Sequence, residues 1–171
     1  LEDFAAERKL NLVSAGPVHL EPLGLYSVKV ESLDELPHGA KISIPEDATN
    51  GGRALKLLAD NGLITLKEGV GTMATPQDIV ENPKGIEIQM LAAEMLPRTL
   101  QDVDAAVINT NFYLLAKENL GVDAVVLARE SAENNPYANI VAVRAGDENR
   151  PEIVKLMELL QSEEVRAFIE E

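Results

Sequence analysis

The chain has no cysteine and no tryptophan, and only two histidines, three phenylalanines and three tyrosines among its 171 residues. Without cysteine there is no disulfide, thiol nucleophile, Cys-ligated zinc or iron–sulfur cluster. No HExxH, Gly-x-Ser-x-Gly or P-loop pattern occurs, so the common hydrolase and nucleotide-binding signatures are missing. The histidines are His19 and His38, and the latter sits in a Pro-His-Gly turn expected to face solvent. No apolar run approaches the roughly 18 residues of a membrane span. Basic residues are scarce as well. Lys and Arg total 15 against 29 Asp and Glu, giving a net charge of −14 and a pI near 4.5. That balance argues against nucleic acid and anionic membrane surfaces as partners. No metal, cofactor or catalytic residue is expected.

What is present suits a globular α/β protein. An apolar content of 46% is enough to bury a core. The length suggests one domain or two small lobes. The opening LEDFAAERKLNL reads as the end of a helix that packs Phe4 and Ala5, without an initiator Met, a recognisable signal peptide or an N-cap before Leu1. The chain is therefore expected to be a piece of something longer.

The most informative stretch is Lys41 to Leu63, KISIPEDATNGGRALKLLADNGL. Ile42 and Ile44 alternate with Lys41 and Ser43 as in a strand, and Pro45 closes the ladder. Asp47 to Gly52 is a polar turn. Leu55, Leu58 and Ala59 then recur at helical spacing, and Gly62 is placed to terminate the helix. A strand thus runs through a short loop into a helix N-terminus, where unpaired N–H groups and the dipole favour an anion. Arg53 in the first turn opposes that dipole. Its position makes sense where it meets an anion; the competing reading is a solvated surface arginine.

Elsewhere, prolines and glycines break Asn11 to Tyr26 into extended pieces. On a strand, His19 and Glu21 would share a face, as a structural hydrogen-bonding pair more readily than a catalytic one. Ser32 to Leu36 reads as a capped helical turn. Gly69-x-Gly71-x-x-Ala74 fits a relaxed dinucleotide fingerprint, but the helix signal starts only at Thr75-Pro76, so a flexible turn is the simpler reading. Asp104 to Asn109, DAAVIN, suits a buried parallel strand ending in polar residues, which is where open α/β sheets bind ligands. Asn109 could equally cap the following helix. Tyr137 to Val143 is apolar on both faces and is expected to be a central strand, with Asn139 as its polar exception. Two amphipathic helices close the chain. The alternation predicts α/β with a mostly parallel sheet.

The blocks VHLEPLGLYS, DATNGGRALKLLADNGLITLK, QDIVENPK, LPRTLQDVDAAVIN and PYANIVAVR resemble the methionine-binding lipoproteins of bacterial ABC importers, over essentially the whole chain. The resemblance implies a two-lobed, type II periplasmic-binding-protein-like fold with one lobe incomplete, because the family's first third has no counterpart here. It implies lobe one at residues 1–36 and 135–171, lobe two at 37–134, and crossings near Tyr26 to Leu36 and Asn134 to Pro136. It implies a methionine-like amino acid or methionyl peptide as ligand, a permease partner, no enzymatic activity, and a lipid-anchored, extracytoplasmic location. The family's ligand-binding arginine falls on Arg53, beside Asn50. Its asparagines fall on Asn109 and Asn139, while His19 and Glu21 lie in a stretch that varies within the family. An aromatic cage is hard to build from six aromatic residues. Self-association of the incomplete lobe is a further expectation. An α/β hydrolase or transferase, and an acidic protein-interaction module, are the alternative readings.

Overall fold

The computed structural model describes residues 1, 5–6, 8–131 and 137–170. These divide into two compact units, Leu1–Glu21 with Glu133–Glu171, and Pro22–Ala132. The elements in chain order are β1 (Leu12–His19), β2 (Leu23–Ser27), β3 (Lys41–Pro45), α1 (Ala48–Asp60), β4 (Thr65–Leu66), β5 (Ile79–Glu81), β6 (Glu87–Leu91), α2 (Leu96–Thr99), β7 (Ala105–Asn109), α3 (Thr110–Leu120), β8 (Val125–Arg129), β9 (Asn139–Arg144), α4 (Pro151–Leu160) and α5 (Glu163–Glu170).

The unit Pro22–Ala132 is built on a five-stranded sheet in the order β6-β3-β7-β2-β8. β3 is parallel to β6 and to β7, whereas β2 is antiparallel to both β7 and β8. The sheet is therefore mixed, and β2 is the one strand running against the rest. One face carries Leu23, Leu25, Ile42, Ile44 and Val107 under Ala54, Leu55 and Leu58 of α1. The other carries Tyr26, Ala106 and Ile108 under Leu96, Leu100 and Tyr113. On that second face Tyr26 and Tyr113 stack with ring centroids 4.1 Å apart. The expected lobe boundary at residue 36 differs from the observed division after Glu21. Residues 22–36 fold with this unit because β2 is hydrogen-bonded between β7 and β8. The expected crossing at Asn134 to Pro136 lies outside the described residues.

The β3–α1 junction follows the sequence signals closely. Asp47 is the N-cap, its side chain accepting from the Asn50 N–H at 2.9 Å. The helix starts at Ala48, earlier than the polar turn suggests, so Asn50 to Arg53 lie within it. At the other end Gly62 has φ +71°, and the Leu63 N–H returns to the Leu58 carbonyl at 3.0 Å. Downstream, Thr75 and Pro76 open a short 3-10 turn rather than a longer helix. The Thr75 hydroxyl and N–H both donate to Asp78, at 2.7 and 2.9 Å, and hold its carboxyl below the ordinary carboxylate range.

In the other unit β1 and β9 form a two-stranded antiparallel sheet. α4 packs against β1: Gln161 Nε2 donates to the Pro17 carbonyl at 2.8 Å, and Met157 lies over Gly16. Contrary to expectation, β9 is not central. Among the described residues β1 is its one strand neighbour, and Ile140 is 37% exposed. Its two apolar faces signalled burial, but apolar patterning does not by itself supply the cover.

Close approach explains the paired glycines of α1. A Cβ on Gly51 would lie 2.8 Å from the Pro45 carbonyl oxygen, and one on Gly52 only 1.9 Å from that of Thr72. Both obstacles are backbone and cannot rotate away. Gly52→Ala should therefore cost about 1–3 kcal/mol or more, read as a lower urea midpoint with an unchanged denaturant slope.

Candidate functional site

α1 presents Arg53 toward the end of the sheet, where the chain would ordinarily not bury a charge without a partner. Arg53 is 6% exposed. Its Nε donates to Glu130 Oε1 at 3.1 Å and its Nη2 to Glu130 Oε2 at 2.5 Å. The pair is side-on and bidentate, the geometry that fits a guanidinium to a carboxylate. Arg53 Nη1 donates to Asn50 Oδ1 at 3.0 Å, and Asn50 Nδ2 donates in turn to Asp47 Oδ2 at 3.1 Å. Asn50 thus bridges the helix cap to the arginine. The solvated-surface reading of Arg53 is excluded by this burial. The Asn50 and Gly51 N–H groups are already engaged, the first by the Asp47 side chain and the second by the Asp47 carbonyl.

The sheet brings further polar groups to the same face. Asn109 ends β7 directly opposite Leu23 of β2. On its other side Leu23 faces Glu130: the Glu130 N–H donates to the Leu23 carbonyl at 2.8 Å, and the Leu23 N–H to Glu130 Oε2 at 3.1 Å. Residues directly opposite in antiparallel strands project to one face. Asn109, Leu23 and Glu130 therefore form a row, on the face packed by α1. Asn109 occupies the N-cap position of α3 without making a side-chain cap bond, and its Oδ1 is buried with no hydrogen-bond partner. Capping thus does not account for its side chain. Glu130 escaped sequence reasoning because its partner is 77 residues away, and its own stretch, RESAENNP, reads only as a polar loop.

The remaining three candidates assemble in the other unit. β1 and β9 place His19 opposite Asn139. His19 Nε2 lies 3.1 Å from Glu21 Oε1 and 3.2 Å from Asn139 Nδ2. Nε2 donates to Glu21 in one tautomer and accepts from the Asn139 amide in the other, so the ring serves one of these two neighbours at a time. The other ring nitrogen, Nδ1, is buried and unpartnered. His19 also lines a cavity of about 480 Å³ with Pro17, Gln161, Arg166 and Ile169. Among the described residues no group of histidine and carboxylate side chains is arranged to hold a metal ion. No described helix is long and apolar enough to cross a membrane.

The profile of the NlpA lipoprotein family matches residues 1–171. The chain is 44% identical over 162 residues to the methionine-binding lipoprotein MetQ of Bacillus subtilis, covering 93% of this chain and 58% of that protein. It is 38% identical over 167 residues to the D-methionine-binding lipoprotein MetQ of Salmonella typhimurium, covering 96% and 60%. The chain thus spans about three-fifths of the length of these curated relatives. Among solved structures, a nutrient-binding protein from Burkholderia cenocepacia bound to methionine matches with a TM-score of 0.89 at 47% identity, covering 99% of this chain and 70% of that one. The putative methionine-binding lipoprotein of Bacillus subtilis matches at 0.88 and 42%, covering 99% and 70%. The fold is accordingly the α/β, two-lobed type II binding-protein architecture of these neighbours, over the part the chain spans.

The Arg53–Glu130 pair is desolvated, with side chains 6% and 16% exposed. Removing one member leaves a buried charge, so Arg53→Ala or Glu130→Ala should each cost about 3–5 kcal/mol. Replacing both by apolar residues of similar volume should cost clearly less than the sum. A double-mutant cycle by urea unfolding checks this, and additive losses would show the two residues to be uncoupled.

Proposed function

This chain belongs to the NlpA lipoprotein family, and from that premise we propose that it serves an ABC importer as the solute-capturing component, taking methionine or a methionyl peptide. It binds its ligand and does not convert it. Its partner is the importer's permease, and its place is the cell envelope, outside the cytoplasmic membrane and held there by a lipid anchor on the complete protein. Relatives described as methionine-binding lipoproteins support this reading.

The observation that carries the reading is the buried guanidinium of Arg53 at the carboxyl end of the sheet, already in a side-on pair with a carboxylate. In the loaded protein Arg53 receives the carboxylate of the ligand. Asn50 fixes the guanidinium plane from behind. Asn109, with its orphaned Oδ1, holds the polar end of the ligand as well; a neutral amide can accept from an ammonium and donate to a carboxylate. His19, Glu21 and Asn139 are assigned to ligand contact too, with the unpartnered His19 Nδ1 as the ring nitrogen they offer.

The unit that contains β1 and β9 also leaves large apolar side chains exposed, Leu159 at 56% and Phe168 at 78% among them. We propose that the 171-residue chain on its own self-associates through this surface. Light scattering should report a species larger than a monomer. A well-behaved monomer with a cooperative melt would count against it.

Ligand capture is tested by calorimetry on the complete product of the gene, with methionine and its carboxamide. Methionine at a hundredfold excess over Kd should add about 2.7 kcal/mol of stability. Arg53→Ala should bind at least a hundredfold more weakly, as a broken desolvated pair requires. Arg53→Lys keeps the charge but loses the fork, and should also bind more weakly. Equal affinity for the acid and the carboxamide, or for Arg53→Ala and the parent, would sink the arginine's role.

A further inference from the structure

We propose that Met90 is a modification site: its thioether is open to a peroxide oxidant, and conversion to the sulfoxide loosens the start of α1 and so weakens the Arg53 site. Weakened capture of ligand rests on the function proposed above; the loosening of α1 does not.

Three of the four methionines are open to solvent, Met73 at 67%, Met95 at 46% and Met90 at 41% exposure. Access lets an oxidant reach all three, but their places in the fold differ. Met90 pairs with Ile44 of β3, and both project to the face that α1 covers. The Met90 methyl lies 3.6 Å from where a Cβ on Gly51 would stand. The next residue, Leu91, accepts at its carbonyl from the Glu46 N–H at 2.9 Å. The end of β6 thus meets the β3–α1 junction twice, once through its backbone and once through the tip of the Met90 side chain. Gly51 is one residue from Asn50 and two from Arg53. Met73 approaches α1 differently. The backbone of its neighbours Thr72 and Ala74 abuts Gly52, while its own side chain is the most exposed of the four.

The chemistry at Met90 is a two-electron oxidation. The sulfur attacks one oxygen of the peroxide, an S–O bond forms as the O–O bond breaks, and water leaves. Sulfur gives up the two electrons that the peroxide takes. A soft apolar group becomes a polar, chiral sulfoxide. Its oxygen is an acceptor that needs a donor or water. The Asn50 and Gly51 N–H groups are already held by Asp47, so the sulfoxide turns to solvent and its packing on Gly51 is lost. A gap against a close-packed helix is costly because the surroundings fill it only in part. The turn that loses this contact carries Asn50, whose Oδ1 holds the Arg53 guanidinium at 3.0 Å. Met90 therefore couples an oxidant-accessible sulfur to the residue that fixes the arginine.

The test uses the complete gene product, hydrogen peroxide and a Met90→Leu variant, in which leucine keeps the volume and has no sulfur to oxidise. After the peroxide is removed, peptide mapping by mass spectrometry gives the sulfoxide fraction at each methionine. Calorimetry and urea unfolding then give methionine affinity and stability. In the parent the urea midpoint should fall, and methionine should bind about tenfold more weakly, in step with sulfoxide at Met90 and not at Met73. Treated Met90→Leu should keep both values. Methionine sulfoxide reductases of both epimer specificities should restore the parent, and this rescue decides the matter if Met90→Leu does not fold. Full oxidation at Met90 with an unchanged midpoint overturns the proposal, as does a Met90→Leu variant that loses as much as the parent. Peroxide that oxidises Met73 and leaves Met90 intact overturns it too. An untreated parent that does not bind methionine defeats the capture reading, and the urea midpoint alone then decides the role of Met90.

Discussion

A guanidinium buried in the second turn of α1 is the constraint around which the larger unit is arranged. Desolvating that charge is tolerable only if it is paired and hydrogen-bonded. Arg53 meets the requirement by drawing on distant parts of the chain. Glu130 comes from the end of β8, Asn50 from one turn back in α1, and Asp47 holds Asn50 in place. Glu130 also accepts from the Leu23 N–H, so the first residue of β2 is tied into the same network. The helix must then lie close against the sheet and the loop beside it. That closeness is what Gly51 and Gly52 permit, since a side chain on either would strike backbone.

The same arrangement gathers polar groups where an α/β sheet can use them. β3 and β7 run parallel and end together, and the chain enters a helix after each. Main-chain groups there are partly satisfied by the helix caps, and side chains of the last strand residues point into whatever space the helices leave. Asp47 uses its position for capping. Asn109 does not, although it occupies the equivalent place before α3. Two strand ends with the same local geometry therefore differ in hydrogen bonding: one is closed by its own cap, and the other retains an unsatisfied acceptor. The difference matters because the polar end of a ligand needs both a fixed charge and a vacant hydrogen-bonding group.

Much of this junction was legible in the sequence because its signals are local. Pro45 ends a strand and Gly62 stops a helix, each through its own backbone chemistry within a few residues, whereas the polar run Asp47 to Gly52 hides that the helix already starts after Asp47. Arg53 stood out because a cation is misplaced in a first helical turn; the helix in fact begins at Ala48, which puts Arg53 in the second turn, and its anion there is Glu130. The identity of that anion was not legible. Glu130 lies in a polar stretch, and nothing in its neighbours reports a partner 77 residues away. The lobe boundary misled for a related reason. Tyr26 to Leu36 carries turn signals, but the preceding β2 is committed to β7 and β8 by pairings that no local pattern reveals. For β9, apolar residues on both faces suggest a central position that the sheet does not give it. Periodicity reports which faces of a strand suit burial; which elements cover them is a tertiary fact, and here β1 is the strand that pairs with it.

A buried ion pair is a poor way to gain stability. Apolar side chains of the same volume often hold a core as well or better, because the desolvation of two charges consumes most of their attraction. Retention of Arg53 and Glu130 at one junction therefore asks for a reason beyond folding. The orphaned oxygen of Asn109 points the same way, because an unsatisfied buried acceptor is a cost that packing alone would remove. Two unfavourable features lie on one face of the sheet, near the carboxyl ends of its parallel strands, where ligands bind in open α/β sheets. Each is offset if a group carrying both charges enters: the ammonium satisfies the acceptor, and the carboxylate meets a guanidinium already held in plane. The proposed ligand role thus accounts, with one chemical species, for two local departures from the cheapest way to fill a core.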